Sequence, residues 1–68
     1  MRYFAYMEVL EKEPIIVSEE EIREKYYDYW YQKMCDTFGK EVVDVKYTFR
    51  DCLLDWMTIH WAWEVKNV

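Results

Sequence analysis

The chain holds one glycine, one proline, one histidine and two cysteines among 68 residues, and each shortage closes a route. With a single glycine there is no glycine-rich loop to cradle a phosphate. Cys35 and Cys52 cannot build a disulfide-dense scaffold. Together with His60 they offer three zinc ligands at most, and no Cys-x-x-Cys or His-x-x-x-His spacing is present, so no metal site is expected. A Cys–His nucleophile would need a third, orienting group and an oxyanion hole, and neither has a footprint here. Asp51 and Asp55 stand four residues apart on what reads as an exposed helix side, where solvation is the ordinary explanation. No apolar run nears the roughly 18–20 residues that span a bilayer. Residues 1–14 meet charge at Glu8 and offer neither an uninterrupted apolar h-region nor a small-residue cleavage site. The expectation is one non-enzymatic domain over residues 1–68, without cofactor, its thiols free in a reducing cytoplasm.

Large rings are what the chain has in abundance: aromatic residues make up 21% of it, against 34% charged. A domain this small buries only about 60% of its unfolded surface. Each ring taken out of water removes roughly 150–250 Å², worth several kcal/mol at about 25 cal/mol per Å². Rings therefore supply the burial that glycine-poor, disulfide-free small domains otherwise lack.

Residues 2–10, "RYFAYMEVL", read as a strand with faces Tyr3, Ala5, Met7, Val9 and Phe4, Tyr6, Glu8, Leu10, of which Glu8 marks the second as the wetter. Residues 11–14 end it, and residues 15–17 are a short extended entry to a helix. "VSEEEI" carries a capping box, Ser18 with Glu21, and a hydrophobic staple, Val17 with Ile22. Glu19, Glu20 and Glu21 complement the positive end of the helix dipole. Gly39 supplies the stop, as a left-handed C-terminal cap, so the helix spans Glu19–Phe38. Residues 41–47 alternate in the manner of a short strand. Thr48 and Asp51 form a weaker cap for a second helix, with Phe49, Cys52, Leu53, Trp56 and Met57 on one face. Residues 58–66 alternate strictly, Ile59, Trp61, Trp63 and Val65 on one side, and read as a strand. The fold class is α+β: a small two- or three-stranded antiparallel sheet, its terminal strands paired, against one long and one short helix.

Five rings crowd "YYDYWYQ" at residues 26–32. On a helical projection the apolar arc of the long helix covers about 240°, where an ordinary surface helix needs little more than about 100°. Tyr26, Trp30, Met34 and Phe38 lie mid-arc and are the core candidates. One flank, either Tyr29 or Tyr27 with Tyr31, is left to cover a loop, face water or meet another molecule. Tyrosines lying over a sheet edge with hydrated hydroxyls are the plain explanation; an aromatic contact surface is the functional one.

Charge is as uneven as aromaticity. The net −5 sits almost entirely between Glu8 and Glu24, where seven acids face only Lys12 and Arg23. Such a lobe disfavours direct nucleic-acid binding and anionic membranes. Glutamates at a helix start are routine, but Glu11, Glu13, Glu19, Glu20 and Glu24 could also imitate nucleic-acid charge against a basic cleft. Three functional expectations follow. The first is a protein-binding module contacting a partner, or a second copy, through Tyr27, Tyr31 and Tyr29 with Glu20 and Glu24 alongside. The second is the acidic decoy, and the third a small-ligand binder using Trp56, Trp61 and His60.

The stretch "CLLDWMTIHWAWEV", residues 52–65, is similar to small uncharacterised proteins of tailed bacteriophages in its D-W, four-residue gap, W-A-x-E pattern: Asp55, Trp56, Trp61, Ala62 and Glu64. That resemblance covers about a fifth of the chain. It implies a phage or prophage accessory protein acting in bacterial cytoplasm.

Overall fold

A computed structural model describes residues 1–66. The elements run β1 (Tyr3–Tyr6), β2 (Ile15–Ser18), α1 (Glu19–Phe38), α2 (Lys40–Lys46), α3 (Phe49–His60) and β3 (Trp63–Val65). The strands form one antiparallel sheet in the order β2-β1-β3. The architecture is thus the expected α+β, with the first and last strands paired, but it carries three helices rather than two. Among the described residues no helix is long and apolar enough to cross a membrane.

α1 has the expected bounds because both ends are chemically marked. Ser18 Oγ accepts from the N–H of Glu21 at 3.1 Å. The return half of the capping box is not made; the Glu21 carboxylate lies 3.6 Å from Lys25 Nζ instead. At the other end Gly39 donates its N–H to the Cys35 carbonyl at 2.8 Å. Its φ of 92° suits glycine, but with ψ at 142° it lies outside the left-handed helical region. That kink lets α2 start at once.

Three expected strand segments are shorter or different. β1 ends at Tyr6 because the chain turns, Glu11 donating its N–H to the Glu8 carbonyl at 3.1 Å, so Glu8 is a turn residue and says nothing about strand faces. Of the expected 41–47 strand, residues 41–46 are helical and only Tyr47 is extended: Val43 is buried while Val42 and Val45 are exposed, and over two turns such a spacing of valines fits helix as well as strand. Glu41 and Lys46 sit at the ends their charges favour. α3 continues to His60, the Thr58 hydroxyl donating to the Leu54 carbonyl at 2.8 Å, so only residues 63–65 of the expected 58–66 strand pair with β1.

Register decides which face of the sheet is covered. Phe4 pairs with Val17 and Glu64, Ala5 with Ile16 and Trp63, Tyr3 with Ser18 and Val65. Phe4 packs with Ile22, Leu53 and Trp56, and Tyr6, Val17, Tyr26, Phe49, Met57 and Ala62 gather around them. α1 and α3 therefore pack on the Phe4–Tyr6 face, the one expected to be wetter, while α2 packs on α1 beyond it. Among the described residues no layer covers the opposite face, Tyr3, Ala5, Ile16, Trp63 and Val65. A second, smaller packing region holds Trp30, which meets Tyr47 edge-on at 6.5 Å, and Val43 on α2. Of the four expected core residues on α1, only Trp30 is fully buried; Tyr26 and Met34 are half-buried. Phe38, at the end of α1, is exposed although one face of its ring stacks on Tyr47 at 5.9 Å.

The resulting body is thin, 41 × 26 × 16 Å. Its radius of gyration is 13.4 Å, against about 11 Å for a compact chain of this length. Its surface is 5467 Å², where about 4,700 Å² suits a compact monomer of this mass.

Candidate protein-interaction surface

The rings of α1 divide between holding helices together and facing water. Tyr26 donates its hydroxyl to Asp55 Oδ2 at 2.7 Å, and Lys33 Nζ stands 3.5 Å from the same oxygen, so α1 is tied to α3. Burial, and then that carboxylate, raise the Tyr26 phenol well above its usual range. Tyr31 donates to Asp44 Oδ1 at 2.6 Å while Lys40 Nζ meets Asp44 Oδ2 at 2.7 Å, which ties α1 to α2. Lys40 and then Tyr31 hold the Asp44 carboxyl below the ordinary range; Arg2, forked onto Glu64 at 3.2 and 3.0 Å, does the same for Glu64. Stabilisation from these two carboxylates is present at neutral pH and is lost as the pH falls through their lowered values.

Tyr27 stacks on Tyr31 at 5.8 Å and leans on Phe49 at 6.1 Å. The Arg23 guanidinium lies over the other ring of that pair, 3.7 Å from the Phe49 centroid. Of the three tyrosines expected to form a contact flank, Tyr27 and Tyr31 are therefore half-buried under α2 and α3. Tyr29 alone stands out, 61% exposed, with Lys33 Nζ 5.5 Å from its ring centre. Glu20 and Glu24 are exposed on the first turns of α1, whereas Glu19 turns towards Arg2, 3.9 Å away. The structure does not bring the three tyrosines together as one exposed patch.

A more concentrated apolar surface lies where β1, α3 and β3 converge. Tyr6, Met7, Glu8, Ile59, His60, Trp61 and Trp63 line an open groove of about 520 Å³. Its floor is rigid. The His60 ring stacks on Trp56 at 4.5 Å, and Tyr6 meets both edge-on at 5.0 and 5.6 Å. His60 Nδ1 lies 2.9 Å from the Trp56 carbonyl oxygen; a carbonyl only accepts, so Nδ1 is the donor in this contact. The rim is Ile59, Met7, Trp63 and above all Trp61, which is 87% exposed.

Trp61 ends α3 in the left-handed region, φ 55° and ψ 41°, a conformation that costs a side-chain-bearing residue roughly 1–2 kcal/mol. The helix still closes properly, with the Ala62 N–H donated to the Met57 carbonyl at 2.9 Å. Nothing in the sequence marks this turn, because the usual glycine is absent. Alternation through residues 58–66 put Trp61 and Trp63 on a common strand face, and the rings do reach the same groove by a different path.

The two thiols are free and stand in different surroundings: Cys52 is buried and Cys35 half-buried. Burial, and then the Asp55 carboxylate, push the Cys52 thiol up to about 11. Iodoacetamide at pH 8 is expected to alkylate Cys35 first and to reach Cys52 only through unfolding, as peptide mapping over a time course would report. Equal rates would show that Cys52 is not enclosed. The unfolded thiol ionises near 9.0, so this group subtracts stability as the pH rises above that value.

Comparison with known proteins found nothing similar: no family model matches, and no curated protein or solved structure resembles the chain closely enough to count as a match.

Proposed function

We propose that this chain is a non-enzymatic protein-binding module, and that its contact surface centres on Trp61 and the groove beside it. One observation carries the reading. Of the five residues in the D-W, W-A-x-E pattern, four have work inside the fold: Asp55 accepts from Tyr26, Trp56 is core, Ala62 packs against the core, and Glu64 pairs with Arg2. Trp61 has none. It presents its indole to water in a backbone conformation that a glycine would hold without strain. Tryptophan is also the residue most often found as a binding anchor. In line with the phage resemblance of that pattern, we propose a host or phage protein of bacterial cytoplasm as the partner, with modulation of that protein as the role.

Trp61→Gly tests this. The variant is expected to be more stable than the parent by about 1 kcal/mol, since left-handed strain is relieved and little buried area is lost. As bait in a bacterial lysate it is expected to lose a protein that the parent retains, because an anchor residue contributes about 2 kcal/mol or more. A variant that captures the same protein equally well would refute the groove. Salt separates this reading from the acidic decoy: capture through rings persists at about 0.5 M salt, where the Debye length falls below roughly 5 Å and surface charge attraction is screened.

A further inference from the structure

We propose that a second copy of this chain packs on the open face of the sheet, giving a two-fold dimer with a six-stranded sandwich inside and the helices outside. The inference goes beyond the binding-module reading and uses the adjoining sheet face, which shares Trp63 and Met7 with the rim of the groove.

The first argument is area. The chain exposes 5467 Å², roughly 800 Å² more than a compact monomer of its mass. That excess matches what one partner buries in a standard stable interface, about 800 Å². Part of it lies on the open sheet face, where Ile16 is 53% and Trp63 45% exposed, bordered by Met7 at 45%; the rest is spread over the β1–β2 turn and the helices, with Val9 at 99% and Val45 at 87%. Ala5, between Ile16 and Trp63 in the ladders, is already sealed to 2%, so the larger side chains form a platform over the central strand. Two such platforms stack at the usual sheet separation of about 10 Å.

Charge selects the occupant. The open face presents Tyr3, Ala5, Ile16, Trp63 and Val65, with Ser18 at its end, and no Asp, Glu, Lys or Arg. The nearest ion pair, Arg2 with Glu64, falls on the alternate positions, on the helix side. The acids of α1 are behind the sheet as well. Two chains of net charge −5 can therefore meet over Ile16, Ala5 and Trp63 without opposing like charges there, Glu8 beside Met7 standing at the margin, and a cationic partner would find nothing on the face itself to pair with. A two-fold axis needs a face that complements itself, and an uncharged apolar platform does. Pairing edge to edge is less suited: β2 follows Pro14, and β3 is three residues long and followed by Lys66.

Sedimentation velocity on the full chain from about 1 to 500 µM tests the proposal, the range spanning affinities of about −8 to −4.5 kcal/mol. The parent is expected to pass from monomer to dimer. Ile16→Lys and Trp63→Lys, on the two outer strands, are each expected to raise the dissociation constant at least about a hundredfold, since the dimer would bury an unpaired ammonium twice. Their helical circular dichroism should be retained, and Tyr29→Lys should dimerise like the parent. A parent that stays monomeric, a dimer that survives both lysine variants, or one that only Tyr29→Lys breaks would each overturn it; should one lysine variant unfold, the other decides. Trp61→Gly distinguishes the two readings. A monomeric parent that still captures a partner sinks only the dimer, and a dimer that captures nothing sinks only the groove.

Discussion

Phe4→Ala is expected to abolish cooperative folding. Phe4 is fully enclosed at the centre of β1 and touches the cluster of Ile22, Leu53 and Trp56, so it joins the sheet to both long helices. Truncating a buried phenylalanine costs about 3–5 kcal/mol, and the whole stability of a chain this size is about 3–10 kcal/mol. So few residues are enclosed that no neighbouring core can compensate. Urea titration followed by circular dichroism should give a cooperative transition for the parent and little or none for the variant at 25 °C. A loss below about 1.5 kcal/mol, typical of a volume-conserving swap, would mean that the cluster around Phe4 does not hold the fold.

Trp30→Ala is expected to cost as much locally and to do something else. Trp30 is as buried as Ile22 but does not belong to the Phe4 cluster; its ring neighbours are Tyr27 and Tyr47. α1, with its 20 residues, is about 30 Å long, whereas four-residue strands reach only about 14 Å. Its C-terminal half therefore overhangs the sheet and is held by α2 and α3 alone. Removing about 3–5 kcal/mol of packing there should release α2 and the end of α1 while the sheet end stays folded. Hydrogen exchange read by mass spectrometry should show protection lost over residues 32–47 and kept in β1, β2 and the first turns of α1. Uniform loss along the chain would show that the two packing regions melt as one.

Much of this architecture was legible. Ser18, the three glutamates after it and Gly39 set α1 at both ends, because caps act locally and their chemistry is carried by single residues. The pairing of the terminal strands followed from two aromatic-rich segments flanking a helical centre. Two departures share a cause: alternation over seven to nine residues does not separate helix from strand. That is why residues 41–46 belong to α2, and why α3 runs three residues past Met57. The face of β1 was misjudged because Glu8 belongs to a turn that no glycine or asparagine announces. The contact surface was legible only in its composition. Counting rings on α1 showed more apolar arc than a small sheet can cover, and the surplus is real. The structure accounts for Tyr27 and Tyr31 through α2 and Phe49, contacts that depend on the path taken after Gly39. The larger surplus lies at Trp61 and Trp63, which line one groove only once β3 has paired with β1, and at Ile16, across Ala5 from Trp63.

That last pairing has a consequence for the order of assembly. Arg2 and Glu64 are 62 positions apart, so docking β3 closes the longest loop in the molecule, and it does so for three residues of ladder. Loop entropy rises only logarithmically with length, but a late, weakly held piece is the natural last step of folding and the first to let go. When it leaves, the central strand shows a bare margin of amide and carbonyl groups, and a neighbouring molecule's β3 can take the place of its own. Reciprocal exchange of β3 is thus a way for two molecules to become linked that needs no new residue, only a moment of detachment.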